Sequence, residues 1–189
     1  MSKRVFFSFH YQDVIDFRAN VVRNHNIVKG QSSGYFDASI WEDAKKESDL
    51  ALKRLINSEL NNTSVTTVLI GTETYNRRWV RYEIVRSMWK GNKLVGVYIN
   101  GVKGKDGKTK VNGDNPFEYL GIQYNEDGTY LQPYEWRNGK WIKYPDHDGW
   151  NIRQVSKESR GKFYQLSHFY KVYDWISNDG YNNFENWIQ

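Results

Sequence analysis

Val65-Thr66-Thr67-Val68-Leu69-Ile70-Gly71, a turn through Asn76, then Arg77-Arg78-Trp79-Val80-Arg81-Tyr82-Glu83 opening a run that reaches Lys90-Gly91 ahead of Leu94-Val95-Gly96-Val97-Tyr98-Ile99: this stretch decides the fold. The first segment is β-branched and apolar without alternation, as a strand covered on both faces must be. Residues 77–90 carry apolar side chains at helical spacing and stop at a glycine suited to a left-handed cap. Residues 94–99 read as a second buried strand. Strand, helix and strand in so short a span imply a parallel pair joined by a crossover helix.

The same grammar extends toward the N-terminus. Val5-Phe6-Phe7-Ser8-Phe9 is a further strand of the buried type, and residues 11–24 place Val14, Ile15, Phe17, Val21 and Val22 at helix-compatible intervals, with Asp13 near the positive end of the dipole. Tyr35-Phe36 reads as a short strand. Ser48 is placed to cap a helix whose Ala51, Leu52, Leu55, Ile56 and Leu60 form one stripe before Asn61-Asn62.

Beyond residue 100 the pattern changes. Asp106-Gly107, Asp127-Gly128 and Asn138-Gly139 are hairpin-type turns, the last set between Tyr134-Glu135-Trp136-Arg137 and Lys140-Trp141-Ile142-Lys143-Tyr144. Residues 162–177 align Phe163, Leu166, Tyr170 and Tyr173 on one helical stripe, and a last short helix is expected over 182–188. The reading is a single domain over residues 1–189, with a core of about 1–120 and an accessory hairpin with C-terminal helices over about 121–189.

Composition sets the outer bounds. The 189 residues are 39% hydrophobic and 26% charged, with 16% aromatic side chains, which suits a folded domain and not a disordered chain. The absence of Cys removes disulfides, thiolate nucleophiles and zinc-thiolate sites; the four His show no ligand spacing, so no metal is expected. The formal charge of +5 comes from bases interleaved with acids along the chain, so no nucleic-acid partner is expected. With no run of membrane-spanning length and no signal-peptide pattern around Met1 to Phe9, the expected location is the cytoplasm, with no membrane partner.

An open parallel sheet binds ligands at the carboxyl ends of its strands, here residues 8–11, 36–41, 70–79 and 98–101. No Gly-x-Gly-x-x-Gly follows the first strand, no Walker loop occurs, and no Gly-x-Ser-x-Gly elbow is present. Phe9-His10-Tyr11 stands where a receiver domain needs acids. The site must therefore be identified by its own residues.

Those residues carry a resemblance. Arg4-Val5-Phe6-Phe7-Ser8-Phe9 followed by Asp13 resembles the opening strand and helix of TIR domains, and Val68-Leu69-Ile70-Gly71, Tyr75 and Arg78-Trp79-Val80-Arg81-Tyr82-Glu83 resemble the TIR strand, loop and third helix with its Trp-x-x-x-Glu. Three segments are similar to the ThsB-type TIR proteins of the bacterial Thoeris anti-phage system: Phe36-Asp37-Ala38-Ser39-Ile40-Trp41-Glu42-Asp43, Asn76 to Glu83, and Arg160-Gly161-Lys162-Phe163-Tyr164. The generic likeness covers about residues 3–100; the ThsB likeness runs almost to the C-terminus.

What the resemblance implies is an α/β, flavodoxin-like TIR domain: a central, mainly parallel sheet flanked by helices, plus a C-terminal β-hairpin and helix accessory. It also implies an enzyme that cleaves the nicotinamide–ribose bond of NAD⁺ and closes the remainder into a cyclic ADP-ribose isomer. That product would be a second messenger for a ThsA-type effector, made after a phage-derived trigger by a chain that could act as a homo-oligomer. NAD⁺ is then substrate, and no cofactor is expected. Glu83 maps onto the family's catalytic carboxylate. With the strand-end windows, the likeness points to Ser8, Phe9, His10, Asp37, Trp41, Tyr75, Arg77 and Trp79 as substrate contacts.

Chemistry gives the assignment independent sense. Nicotinamide leaves a pyridinium as a neutral molecule, so no acid is needed for the leaving group and one carboxylate suffices. Trp79 lies four residues before Glu83, on one helix face. Plain readings stand beside these: Glu83 as a surface acid paired with Arg86, Trp79 as a core aromatic, His10 as a loop histidine, and Arg77, Arg78 and Arg81 as a solvated face instead of a diphosphate site. Two other functions fit the same fold, a non-catalytic TIR scaffold and a hydrolase yielding linear ADP-ribose. His10-Tyr11 in place of the usual Arg-Gly, and the lack of Cys after Trp79, depart from the wider TIR pattern.

Overall fold

A computed structural model describes residues 3–28 and 46–189. The expected strand at Tyr35-Phe36, together with Asp37 and Trp41, lies outside the described residues.

β1 (Val5–Phe9), β2 (Val65–Ile70) and β3 (Lys93–Tyr98) form the parallel sheet that the sequence implies, in the order β1-β2-β3, with Ser8 opposite Val68 and Leu69 opposite Val97. Every residue of β2 is buried, which is why its sequence does not alternate. One face, carrying Phe6, Val68, Ile70 and Leu94, packs on α3 (Asp49–Leu60) and α4 (Arg78–Lys90). The other, carrying Val5, Phe7, Leu69 and Val97, packs on α2 (Arg18–Val28) and α5 (Gly180–Ile188).

The helix ends follow local chemistry. Ala51 N–H donates to Ser48 Oγ at 3.1 Å, closing the start of α3, and Gly91 ends α4 at φ +82°. Residues 11–24 do not make one helix. The chain breaks between α1 (Tyr11–Ile15) and α2 at Phe17, whose φ is +66°. Arg18 accounts for the break: it is 1% exposed, and its guanidinium donates to the Lys108 carbonyl at 2.6 Å and to Asp16 at 3.2 Å. Burying that cation on its partners compensates the strain at Phe17.

The second half builds an antiparallel sheet in which residues 140–143 (β6), 130–137 (β5), 120–124 (β4) and 163–165 (β8) lie side by side in that order, with β7 (Trp150–Asn151) also on β5. β4 (Leu120–Tyr124) and β5 (Tyr130–Arg137) are joined by the loop 125–129, in which Gly128 takes φ +70°, while β5 turns into β6 (Lys140–Lys143) at Asn138-Gly139, whose φ of +51° and +77° are what a two-residue hairpin requires. The Asp106-Gly107 turn has no strands beside it. Leu120, Ile122, Leu131 and Leu166 enter the same apolar cluster as the α3–α4 face of the first sheet.

The expected helix over 162–177 is corrected: β8 (Phe163–Gln165) and β9 (Val172–Asp174) flank a 3-10 turn, Leu166–His168. β9 pairs in parallel with β3, Val97 opposite Tyr173, and so adds a fourth strand to the parallel sheet. The aromatic spacing suits a helix stripe, but the open edge of β3 offers backbone partners that an isolated segment cannot supply. Past β9, α5 is the short terminal helix, and Lys3 Nζ donates to the Ile188 and Gln189 carbonyls at its end. Among the described residues no helix is long and apolar enough to cross a membrane.

Candidate active site

Glu83 lies six positions into α4 on the side turned to the sheet, and it is 5% exposed. Ser8, the fourth residue of β1, faces it: Ser8 Oγ donates to Glu83 Oε2 at 2.5 Å, with Ser8 itself fully buried. Burial pushes the Glu83 carboxyl up to about 8, and the Ser8 hydrogen bond opposes that rise without cancelling it. No cation of the described structure contacts it, so the surface-acid reading paired with Arg86 does not hold; Arg86 Nε donates instead to Asn57 at 2.8 Å.

A second hidden acid sits at the same end of the sheet. Asp13 is 3% exposed, and its Oδ2 has no hydrogen-bond partner among the described residues. Its carboxyl is raised to about 6 by burial, with Lys110 pulling the other way. It lies directly against Gly71 at the exit of β2, where an added Cβ would stand 2.2 to 2.5 Å from its carboxyl atoms. Gly71 is thus required by a close approach, and its N–H is taken by Thr74 Oγ1 at 2.8 Å.

The remaining expected contacts divide. His10 is half-buried at the start of α1, and Arg77 stands at the N-terminal boundary of α4, 3.6 Å from Glu73, with its Nε buried and without a hydrogen-bond partner among the described residues. Both remain at the strand ends. Phe9 does not face Glu83: strand alternation turns it to the α2 side, where the Arg23 guanidinium lies 5.1 Å above its ring. Tyr75 leans on Tyr119, ring centroids 4.9 Å apart, toward the second sheet. Trp79 packs into the shared core, edge-on to Tyr82 at 5.9 Å and beneath Arg78 at 4.7 Å. The core-aromatic reading describes its contacts.

Arg78 and Arg81 are committed to structure, not offered to a diphosphate. Arg78 donates to both oxygens of Asp146 at 2.8 Å and to Asp49 at 2.6 Å, which holds the Asp146 carboxyl down at about 2. Arg81 donates to Glu135 Oε2 at 2.9 Å, to the Trp136 carbonyl at 3.1 Å and to the Tyr75 carbonyl at 3.0 Å. A cavity of about 210 Å³ opens beside them, lined also by Arg137 and Tyr119. With Arg81 and Arg137 held by Glu135 and Arg78 by Asp146, it is a seam between helix and hairpin. Sequence reading missed Glu135 and Asp146; the Arg-rich start of α4 was the available signal that buried acids must answer it.

A family model described as "Thoeris protein ThsB, TIR-like domain" matches residues 6–104. A protein of Bacillus cereus (strain MSX-D12) named "Putative cyclic ADP-D-ribose synthase ThsB1" is 62% identical over 191 residues, an alignment that covers the whole of both chains.

Proposed function

The chain belongs to the ThsB family of TIR-like proteins, and from that premise we propose that it consumes NAD⁺, breaking the nicotinamide–ribose bond and making a cyclic ADP-ribose isomer for anti-phage defence. The observation that carries the catalytic part is Glu83: one buried carboxyl, met by a hydroxyl and by no described cation, at the carboxyl end of the parallel sheet.

Cleavage sends the C1′–N electron pair onto the pyridinium nitrogen, and nicotinamide departs neutral. The ribose is left with oxocarbenium character that an ionised Glu83 stabilises. An adenine-derived or ribosyl nucleophile of the same molecule then bonds to C1′ and loses its proton, which closes the ring; water in its place gives linear ADP-ribose. Held at about 8, Glu83 is mostly protonated at neutral pH in the state described. The positive pyridinium of the substrate favours the ionised form, so binding prepares the acid for its task. The product serves a ThsA-type effector, and a phage-derived trigger with assembly of the chain into an oligomer sets the active state.

The test is the nucleotide content of phage-infected lysate, read by mass spectrometry for wild type and Glu83→Gln. A cyclic isomer made by wild type and lost in the variant is the expected outcome. Equal product from both removes Glu83 from catalysis. Linear ADP-ribose alone leaves a hydrolase, and no product leaves a scaffold.

A further inference from the structure

We propose that Ser8 is the positioning residue of the site: its hydroxyl holds Oε2 of Glu83 so that the opposite oxygen, Oε1, is the one presented to the ribose. The inference rests on the reading of Glu83 as the catalytic carboxylate and replaces the expectation that Ser8 touches substrate.

The geometry carries it. Ser8 is 0% exposed, and its backbone is pinned by the β1–β2 ladder opposite Val68, so its hydroxyl has a fixed origin. It reaches Glu83 at 2.5 Å across 75 residues of sequence, and among the described residues it is the one hydrogen-bond donor to that carboxyl. A carboxylate on a flexible side chain has two equivalent oxygens and several rotamers. Tying one oxygen to the sheet removes both freedoms before substrate arrives, the preorganisation on which electrostatic stabilisation depends.

The elements around Glu83 supply no substitute. β1 and β2 turn Phe6, Thr66, Val68 and Ile70 to the helix side, and β3 contributes Tyr98 there, its Lys93 lying exposed at the far end of the strand. His10, Tyr11 and Asp13 stand at the exit of β1, Glu73 and Tyr75 on the turn before α4, and Asp49 and Lys53 on α3. None of these acts on the carboxyl, whose state is set by burial and by the Ser8 hydroxyl.

The experiment uses the full chain, activated in infected-cell lysate and assayed with added NAD⁺ from about pH 6 to pH 10. Ser8→Ala is expected to lower kcat about tenfold or more with KM within about twofold, as loss of an interaction acting on the catalytic group should. The ionised carboxylate loses its donor, so the rising limb of the pH–rate profile moves about one unit toward higher pH. Ser8→Thr keeps the hydroxyl and restores most of the rate and the original limb. Should Ser8→Ala fail to fold, Ser8→Cys, of similar volume with a weak donor, carries the same comparison.

An unchanged kcat and pH limb in folded Ser8→Ala, with Glu83→Gln inactive, overturns the role of Ser8 and leaves Glu83 standing. A change confined to KM also overturns it, since that is the signature of a substrate contact. Full activity of Glu83→Gln overturns the Glu83 reading instead.

Discussion

Two glutamates are hidden in this molecule to nearly the same degree, Glu83 at 5% and Glu135 at 1% exposed, and they are treated in opposite ways. Glu135, on the accessory sheet, is gripped by Arg81 at 2.9 Å and by Arg137 at 2.7 Å. Glu83, two residues along the same helix from Arg81, meets one neutral hydroxyl and no described cation. A buried charge with matched partners is a structural joint, because its desolvation is offset in place. A buried acid without them is held close to neutrality at a cost to stability, which makes it a candidate for chemistry. The seam between hairpin and helix thus belongs to the fold, and the strand end is the candidate site.

The sharpest way to break that contrast is to neutralise each acid. Glu83→Gln is expected to cost at least about 1,000-fold in nucleotide production, the scale of removing a transition-state charge partner. It should not cost stability. A carboxyl raised from 4.5 to about 8 on folding contributes stability that is complete below 4.5 and is lost as the pH climbs toward 8. The variant's thermal midpoint should therefore gain on wild type between pH 5 and pH 8; a gap that narrows as pH rises contradicts the buried, protonated state.

Glu135→Ala should do the reverse. Leaving Arg81 buried without its partner is expected to cost about 3 kcal/mol in urea unfolding, with lost activity following lost folding. Stability unchanged within experimental error would mean that the ion pair is not a joint. Gly71→Ala tests the other hidden acid by forcing a methyl group onto the Asp13 carboxyl, at about 2 kcal/mol of stability, and a neutral result would show that the close approach relaxes freely. Ser48→Ala sets the lower end of the scale. Loss of its bond to Ala51 N–H should cost about 1 kcal/mol without touching the pH profile of activity.

Much of the architecture was legible because it is written locally. The runs 5–9 and 65–70 are apolar on both faces, Ser48 precedes a striped helix, Gly91 follows one, and Asn138-Gly139 can hardly be anything but a tight hairpin. Where local pattern was ambiguous it misled. Phe163, Leu166, Tyr170 and Tyr173 fit a helix stripe as well as they fit two short strands around a turn, and Phe17 offers no local reason to leave a helix. The first was settled by the vacant edge of β3, the second by the burial of Arg18 against residues far along the chain.

The candidate site divides along the same line. The order of strand, loop and Trp-x-x-x-Glu helix along 65–83 brought Glu83 forward through its likeness to TIR domains, and the chemistry of a pyridinium leaving group explains why one acid could act alone. No reading of the chain could tell that Glu83 would be met by Ser8 and by no described cation, or that Arg78 and Arg81 would be spent on Asp146 and Glu135. Side-chain spacing along one element is a local property carried by the backbone's own period. The partner of a buried charge is chosen by whichever distant segment the folded chain brings against it, and here those partners lie between 54 and 75 residues away.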